Sequence, residues 1–297
     1  MLMYEDHKYE DHKAVVYAMA FAPDGSALVS AAKDGAVWIR DVGGRRRALT
    51  EWGPLTQPVQ SVVYTPDGTT IIIGGSFGWI GLNQDGETSR DFGPLKTPPV
   101  TALAMLDERT LVVGTGDRLK PSAGTFELWD IVTGKKREPS FLEPNGVRAV
   151  AACPAKRMVA WATGHRKVCV WEIIRQQPIH FHQPKNCLAV ALSPDGTQLA
   201  AAVDYSVKVY AIDKRRERVE LKGHKGQVSA VAFSPDGATI ATGSWDQTVK
   251  LWDAATGRER TTFQWPIGRV YCLTYAPDGL RLAAGGDLGS IVIWDME

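Results

Sequence analysis

His180 and His182 stand two residues apart, a spacing that puts both imidazoles on one side of an extended strand where they could share a metal ion. No third ligand is apparent beside them, so the pair reads better as part of a solvated edge strand. His7 and His12, with carboxylates around them, raise the same chemistry, but His12 has a structural reading given below. Cys153, Cys169, Cys187 and Cys272 form no C-x-x-C pair and no zinc spacing with a histidine. They read as buried reduced thiols of a cytoplasmic protein. Gly74-Gly75 and Gly285-Gly286 end apolar runs, where close packing explains them better than phosphate binding. No G-x-S-x-G, H-E-x-x-H, phosphate loop or helix-opening G-x-G-x-x-G is present. The expectation is a protein that is not an enzyme, with no metal, no cofactor and no small-molecule substrate.

Charge points the same way. Lys+Arg 34 against Asp+Glu 33 leaves a net charge of +1, which excludes a strongly basic nucleic-acid binder while leaving room for local patches. Such patches occur at Arg45-Arg46-Arg47, Lys135-Lys136-Arg137, Lys214-Arg215-Arg216 with Arg218, and Arg258 with Arg260. Aromatic residues are not interleaved with them, and Lys and Arg also serve to blunt exposed strand edges. A nucleic-acid-associated role on this basic rim is the alternative reading. An enzyme with a central site is a second one, but it needs convergent carboxylates or histidines that the pattern does not supply. No stretch of 18 apolar residues crosses a membrane, and the first residues, Met1-Leu2-Met3-Tyr4-Glu5-Asp6, lack the basic and apolar regions of a signal peptide.

The elements that must position any site repeat. Pro-Asp-Gly recurs at Pro23, Pro66, Pro194, Pro235 and Pro277, with degenerate copies near Asp107 and Pro154. Each supplies a fixed φ and a permissive glycine between two apolar runs, as a tight hairpin requires. About 17 residues later an alternating segment ends at Arg40, Asn83, Trp129, Trp171, Tyr210, Trp252 and Trp294, spaced by 43, 46, 42, 39, 42 and 42. Units of about 42 residues holding four short strands are propeller blades. The chain therefore reads as all-β: a single domain over residues 1–297, a seven-bladed β-propeller whose blades are four-stranded antiparallel sheets.

The sixth unit, residues 221–253, reads LKGHKGQVSAVAFSPDGATIATGSWDQTVKLWD. It resembles the WD-repeat family of β-propellers, and the resemblance extends over all seven units. It implies a buried hydrogen-bonded chain of Trp252, Ser244, His224 and Asp246. Only the sixth unit holds the full set: the first has Arg40 in the Trp slot and Ala32 in the Ser slot, the second has Phe77 for the Asp, and the fourth has Thr163 and His165. The fifth has Asp204 with Tyr210, and the seventh has Leu288 for the Asp. The resemblance also implies that the N-terminus supplies the missing outer strand of the seventh blade. Residues 2–10 are highly charged and carry the duplication Tyr4-Glu5-Asp6-His7-Lys8, Tyr9-Glu10-Asp11-His12-Lys13, so a weak closing strand is expected.

In this family partners commonly dock on the top face, where the loops before the first strands and between second and third strands gather. Carried onto this chain, that face collects Tyr17, Lys33, Phe77, Arg148, Trp245, Arg269 and Tyr271. Tyr, Trp and Arg are the residues that dominate binding hot spots. An inserted loop between Gly116 and Thr125 lies on the same face. The implied function is a non-catalytic scaffold or adaptor that holds another protein or peptide, with the basic members favouring one that carries Asp or Glu.

Overall fold

The computed structural model describes residues 5–10, 12–42, 48–52, 57–83, 88–91, 98–117, 122–164, 166–175, 177–183 and 185–296. The sixth blade shows how the sequence makes the unit. Its strands Val228–Phe233, Thr239–Ser244, Thr248–Asp253 and Glu259–Gln264 pair in that order as one antiparallel sheet. The second strand is buried along almost its whole length, whereas the outer one alternates between exposed and half-buried residues. Between the first two strands the Pro-Asp-Gly turn closes as the sequence demands. Asp236 Oδ1 accepts the Ala238 amide at 2.9 Å, and Gly237 takes φ +72°, which glycine adopts without strain.

Seven such sheets form the protein, a seven-bladed β-propeller. Apart from one 3₁₀ turn at Pro154–Lys156, the described residues form no helix. The core lies between blades: each apolar cluster joins residues from neighbouring sheets, for example Leu251 and Val249 with Val270, Leu282 and Trp294. The seventh sheet closes the ring. Its outer strand is Glu5–Glu10, antiparallel to Ser290–Asp295, with Tyr9 opposite Ile291 and a register irregularity between Glu5 and His7. The Arg40 guanidinium lies 4.1 Å over the Tyr9 ring, which ties the closing strand to blade one.

One irregularity recurs in every blade. The inner strand gains one residue against its neighbour between Val16 and Ala18, Val59 and Ser61, and Val100 and Ala102. The same shift falls between Val147 and Ala149, Cys187 and Ala189, Val228 and Ala230, and Val270 and Cys272. A β-bulge re-aims the extra side chain. Seven bulges at one level therefore set seven side chains apart from the regular in-out alternation of their strands.

Candidate functional site

The bulged residues are Tyr17, Gln60, Thr101, Arg148, Leu188, Ser229 and Tyr271, and all seven line one central cavity of ≈ 390 Å³. Below them the wall turns apolar, with Met19, Val62, Leu103, Val150, Val190 and Leu273. Arg148 is the one charged residue in the lining. Thr101 and Ser229 turn their hydroxyls to the next blade, onto the carbonyls of Val147 (2.6 Å) and Val270. Thr101 and Ser229 thus tie neighbouring blades together at the level of the ring, and Tyr17, Gln60, Arg148, Leu188 and Tyr271 line the same opening.

Four of the sequence-derived candidates come together. The Tyr17 and Tyr271 rings meet edge to face at 6.3 Å, and Trp245 lies 5.8 Å from Tyr271. The exposed Arg269 stacks 5.7 Å above Trp245. Backbone bonds fix the last two: Trp245 N–H donates to Gln227 O at 2.9 Å, and Asp287 Oδ1 accepts the Arg269 amide at 2.8 Å. Burial first, then the Asp287 charge, pushes the Tyr271 phenol up, so it stays neutral and able to donate. Lys33 is exposed on the corresponding loop of blade one, its amide bonded to Val15 O. Arg148 shares the cavity from blade four, two blades from Trp245 and three from Tyr17 and Tyr271. Phe77 does not join the aromatic cluster: it is half-buried against the core between blades one and two. The sequence reading also missed Leu288, 65% exposed beside Asp287. Its signal was the apolar residue in a slot that takes Asp in blades one, five and six. Of the inserted loop, residues 118–121 lie outside the described residues, as do His165, the Arg45-Arg46-Arg47 run and the side chains of His7 and Asn83.

The polar chain of blade six needs one correction. Its central hydroxyl is Thr242, not Ser244. Trp252 Nε1 donates to Thr242 Oγ1 at 2.9 Å, Thr242 lies 2.7 Å from His224 Nε2, and His224 Nδ1 lies 2.9 Å from Asp246 Oδ2. Register is the reason. Trp252 stands opposite Ile240, and its indole reaches the next residue on that face, Thr242, while Ser244 is another two residues, about 7 Å, further along. Ser244 instead takes the Asp246 amide at 3.1 Å. The same register corrects blade one, where Ser30, not Ala32, meets His12 Nε2 at 2.8 Å. Because a carboxylate only accepts, His224 Nδ1 gives its proton to Asp246, and the neutral imidazole then accepts the Thr242 hydroxyl at Nε2.

In blades three, four and five the slot is satisfied differently: Trp129 donates to Glu127, Trp171 to the Arg175 carbonyl and Tyr210 to Gln183, each at 2.8–2.9 Å, whereas the buried Trp294 Nε1 of blade seven meets no acceptor among the described residues. His180 and His182 are exposed; His180 Nδ1 lies 3.2 Å from Cys169 Sγ, and no metal-ligand group occurs among the described residues. The four cysteines are free and buried.

Two expectations follow from this chain. Asp246→Ala removes the acceptor of the His224, Thr248 and Lys225 donors, so stability should fall by roughly 1–3 kcal/mol in denaturant titrations. An unchanged midpoint would contradict the role of the chain. The second expectation concerns pH. Burial holds the His224 and His12 imidazoles below their usual value, against the opposing pull of Asp246 and Asp34. The folded state then binds fewer protons than the unfolded chain, so this stability is complete above about pH 7 and is lost as pH falls below roughly 6.5. For Asp246, burial pushes the carboxyl up, but bonds from Thr248, Lys225 and His224 hold it down to about 2. Its contribution is therefore lost as pH falls from about 4 to about 2. Thermal melts should drop by roughly 3 °C or more between pH 7.5 and 5.5, and a flat profile would contradict the neutral buried imidazoles.

A ring of four-stranded blades, five of them with a Pro-Asp-Gly hairpin and each with a bulged residue at a central opening, defines a repeat propeller. The WD domain, G-beta repeat family model matches residues 4–41, 175–211, 215–253 and 257–295, just over half of the chain, and the chain belongs to that family. It is similar to a serine-threonine kinase receptor-associated protein of Dictyostelium discoideum, 28% identical over 41% of this chain and 42% of the relative, so the chain spans under half of that protein's length. The mouse protein of the same name is 25% identical, over 80% of this chain and 66% of its own. A guanine nucleotide-binding protein subunit beta of Lymnaea stagnalis is 24% identical, over 79% of this chain and 82% of the relative. No helix among the described residues is long and apolar enough to cross a membrane.

Proposed function

We propose that this chain is a non-catalytic scaffold that holds a partner protein or peptide on its top face, through Tyr17, Trp245, Arg269 and Tyr271, with Lys33 and Arg148 adding positive charge. The observation that carries this reading is the aromatic cluster itself. Three half-buried rings and an exposed guanidinium from blades six, seven and one meet beside the channel opening. Large rigid side chains of this kind gain much contact area for little ordering entropy. The guanidinium over Trp245 suits a carboxylate on the incoming chain. The relatives' names, a receptor-associated protein and a subunit of a larger protein, are consistent with association as the role. Four free buried cysteines suit a reducing compartment, which supports a cytoplasmic location.

The test is site-specific photocrosslinking. A benzophenone side chain replaces Tyr271, and in a control it replaces the exposed Thr262 of the outer strand of blade six. A discrete partner labelled from position 271 and not from 262 supports the reading. Labelling from 262 alone moves the site off the top face.

A further inference from the structure

The opposite face of the ring carries a second arrangement that neither the aromatic cluster nor the polar chains use. A cavity of ≈ 350 Å³ opens between blades four and five, with Met158, Val170, Ile179 and Ile212 in its lining beside Lys156, Asp195 and the paired Glu172 and Arg175. Beside it a second cavity of ≈ 320 Å³ is lined by Gln198, Ala211, Lys214, Arg216 and Arg218. Thr197 and Asp213 line both, so the two are halves of one groove, aliphatic at one end and basic at the other.

The basic half differs from the two other basic clusters among the described residues, in each of which at least one cation is paired. Lys136 is paired with Glu127, Arg137 with Asp130 and Arg260 with Asp253. Among the described residues, Lys214, Arg215, Arg216 and Arg218 enter no ion pair, since the nearby Glu217 and Glu220 are engaged by Lys208 and Lys222. Arg218 is held by neutral acceptors only, Gln198 Oε1 at 2.9 Å and Ala255 O at 3.0 Å, which orient it without neutralising it. A held but uncompensated cation is poised for an external anion.

We propose that this groove binds an extended acidic peptide, which places one aliphatic side chain between blades four and five and lays two or more Asp or Glu side chains over Lys214, Arg216 and Arg218. Charge complementarity selects the acidic half and the aliphatic part of the lining selects the anchor. The lining offers no aromatic ring on which a base could stack, which sets a peptide above a nucleic acid. This inference does not depend on the top-face reading.

The test is selection of random 12-residue displayed peptides on the intact 297-residue chain at physiological salt, followed by fluorescence anisotropy of the enriched consensus as a synthetic peptide. Two variants with exposed positions probe the halves separately. Thr197→Trp plugs the shared junction, and Lys214→Glu with Arg216→Glu reverses the basic end. The expected consensus is an aliphatic residue followed by acidic ones, and each variant should weaken it by about tenfold or more. Exchanging its acids for Asn should do the same, while Arg269→Glu with Tyr271→Ala leaves binding unchanged. The inference is overturned by no enrichment over a bare surface, by a consensus without acids, or by equal binding to the variants. It is also overturned if a random DNA duplex competes at equal charge concentration, which would make the patch a simple polyanion site.

Discussion

Removing residues 1–10 is expected to lower the melting temperature by roughly 10 °C or more and to make the protein self-associate. The outer strand Glu5–Glu10 pairs five residues with Ser290–Asp295, and Tyr9 packs against the core shared by blades seven and one. Without it Ile291, Ile293 and Trp294 sit in a strand with an open edge, next to the seam where the ring closes. Lost pairing, lost Tyr9 burial and the lost Arg40 stack together amount to about 4 kcal/mol or more. An exposed apolar edge also templates pairing with another chain. The check is a thermal melt with size-exclusion chromatography of the truncated and intact proteins. An unchanged melt and a monomeric elution would mean that the ring holds without this strand.

Gly243→Leu should cost roughly 3–5 kcal/mol, with Gly243→Ala near 1. Gly243 sits opposite Ala230 on the second strand of blade six, and a Cβ there would lie 2.5 Å from Val270 Cγ1 of blade seven. Its backbone is ordinary strand, so the objection is purely steric. The equivalent positions in blades one, four and five are Ala31, Ala162 and Ala202, which shows that one carbon fits when the facing blade shifts slightly. A Leu has no such room between two close-packed sheets. Denaturant titrations of the two variants test the gradation. Equal, small effects would mean that neighbouring blades are packed more loosely than the structure has them.

Most of the architecture was legible because its signals are local. Pro-Asp-Gly turns, strand alternation and the spacing of the Trp positions fix seven units without reference to any long-range contact. The closing strand was legible only through family resemblance, since nothing in its charged, duplicated sequence marks it as a partner for Ser290–Asp295. The polar chain failed by one step of the strand. Thr242 and Ser244 share a face, and composition cannot say which of two hydroxyls an indole reaches; register does. The same slip placed Ala32 where Ser30 belongs. On the top face, Tyr17 and Tyr271 could be read from their place after the first inward residue of each blade. Phe77 could not, because whether an aromatic ring faces outward or folds onto a core depends on the blade beside it.

Affinity capture from native lysate at physiological salt bears most directly on the scaffold reading. Wild type is run beside Arg269→Glu with Tyr271→Ala, with and without nuclease, and captured proteins are identified by mass spectrometry. Both substituted side chains lie outside the core, so the double variant should melt as wild type does. The account predicts a nuclease-resistant partner retained by wild type and lost by the variant. Retention at wild-type strength, or captured material that vanishes with nuclease, would contradict it.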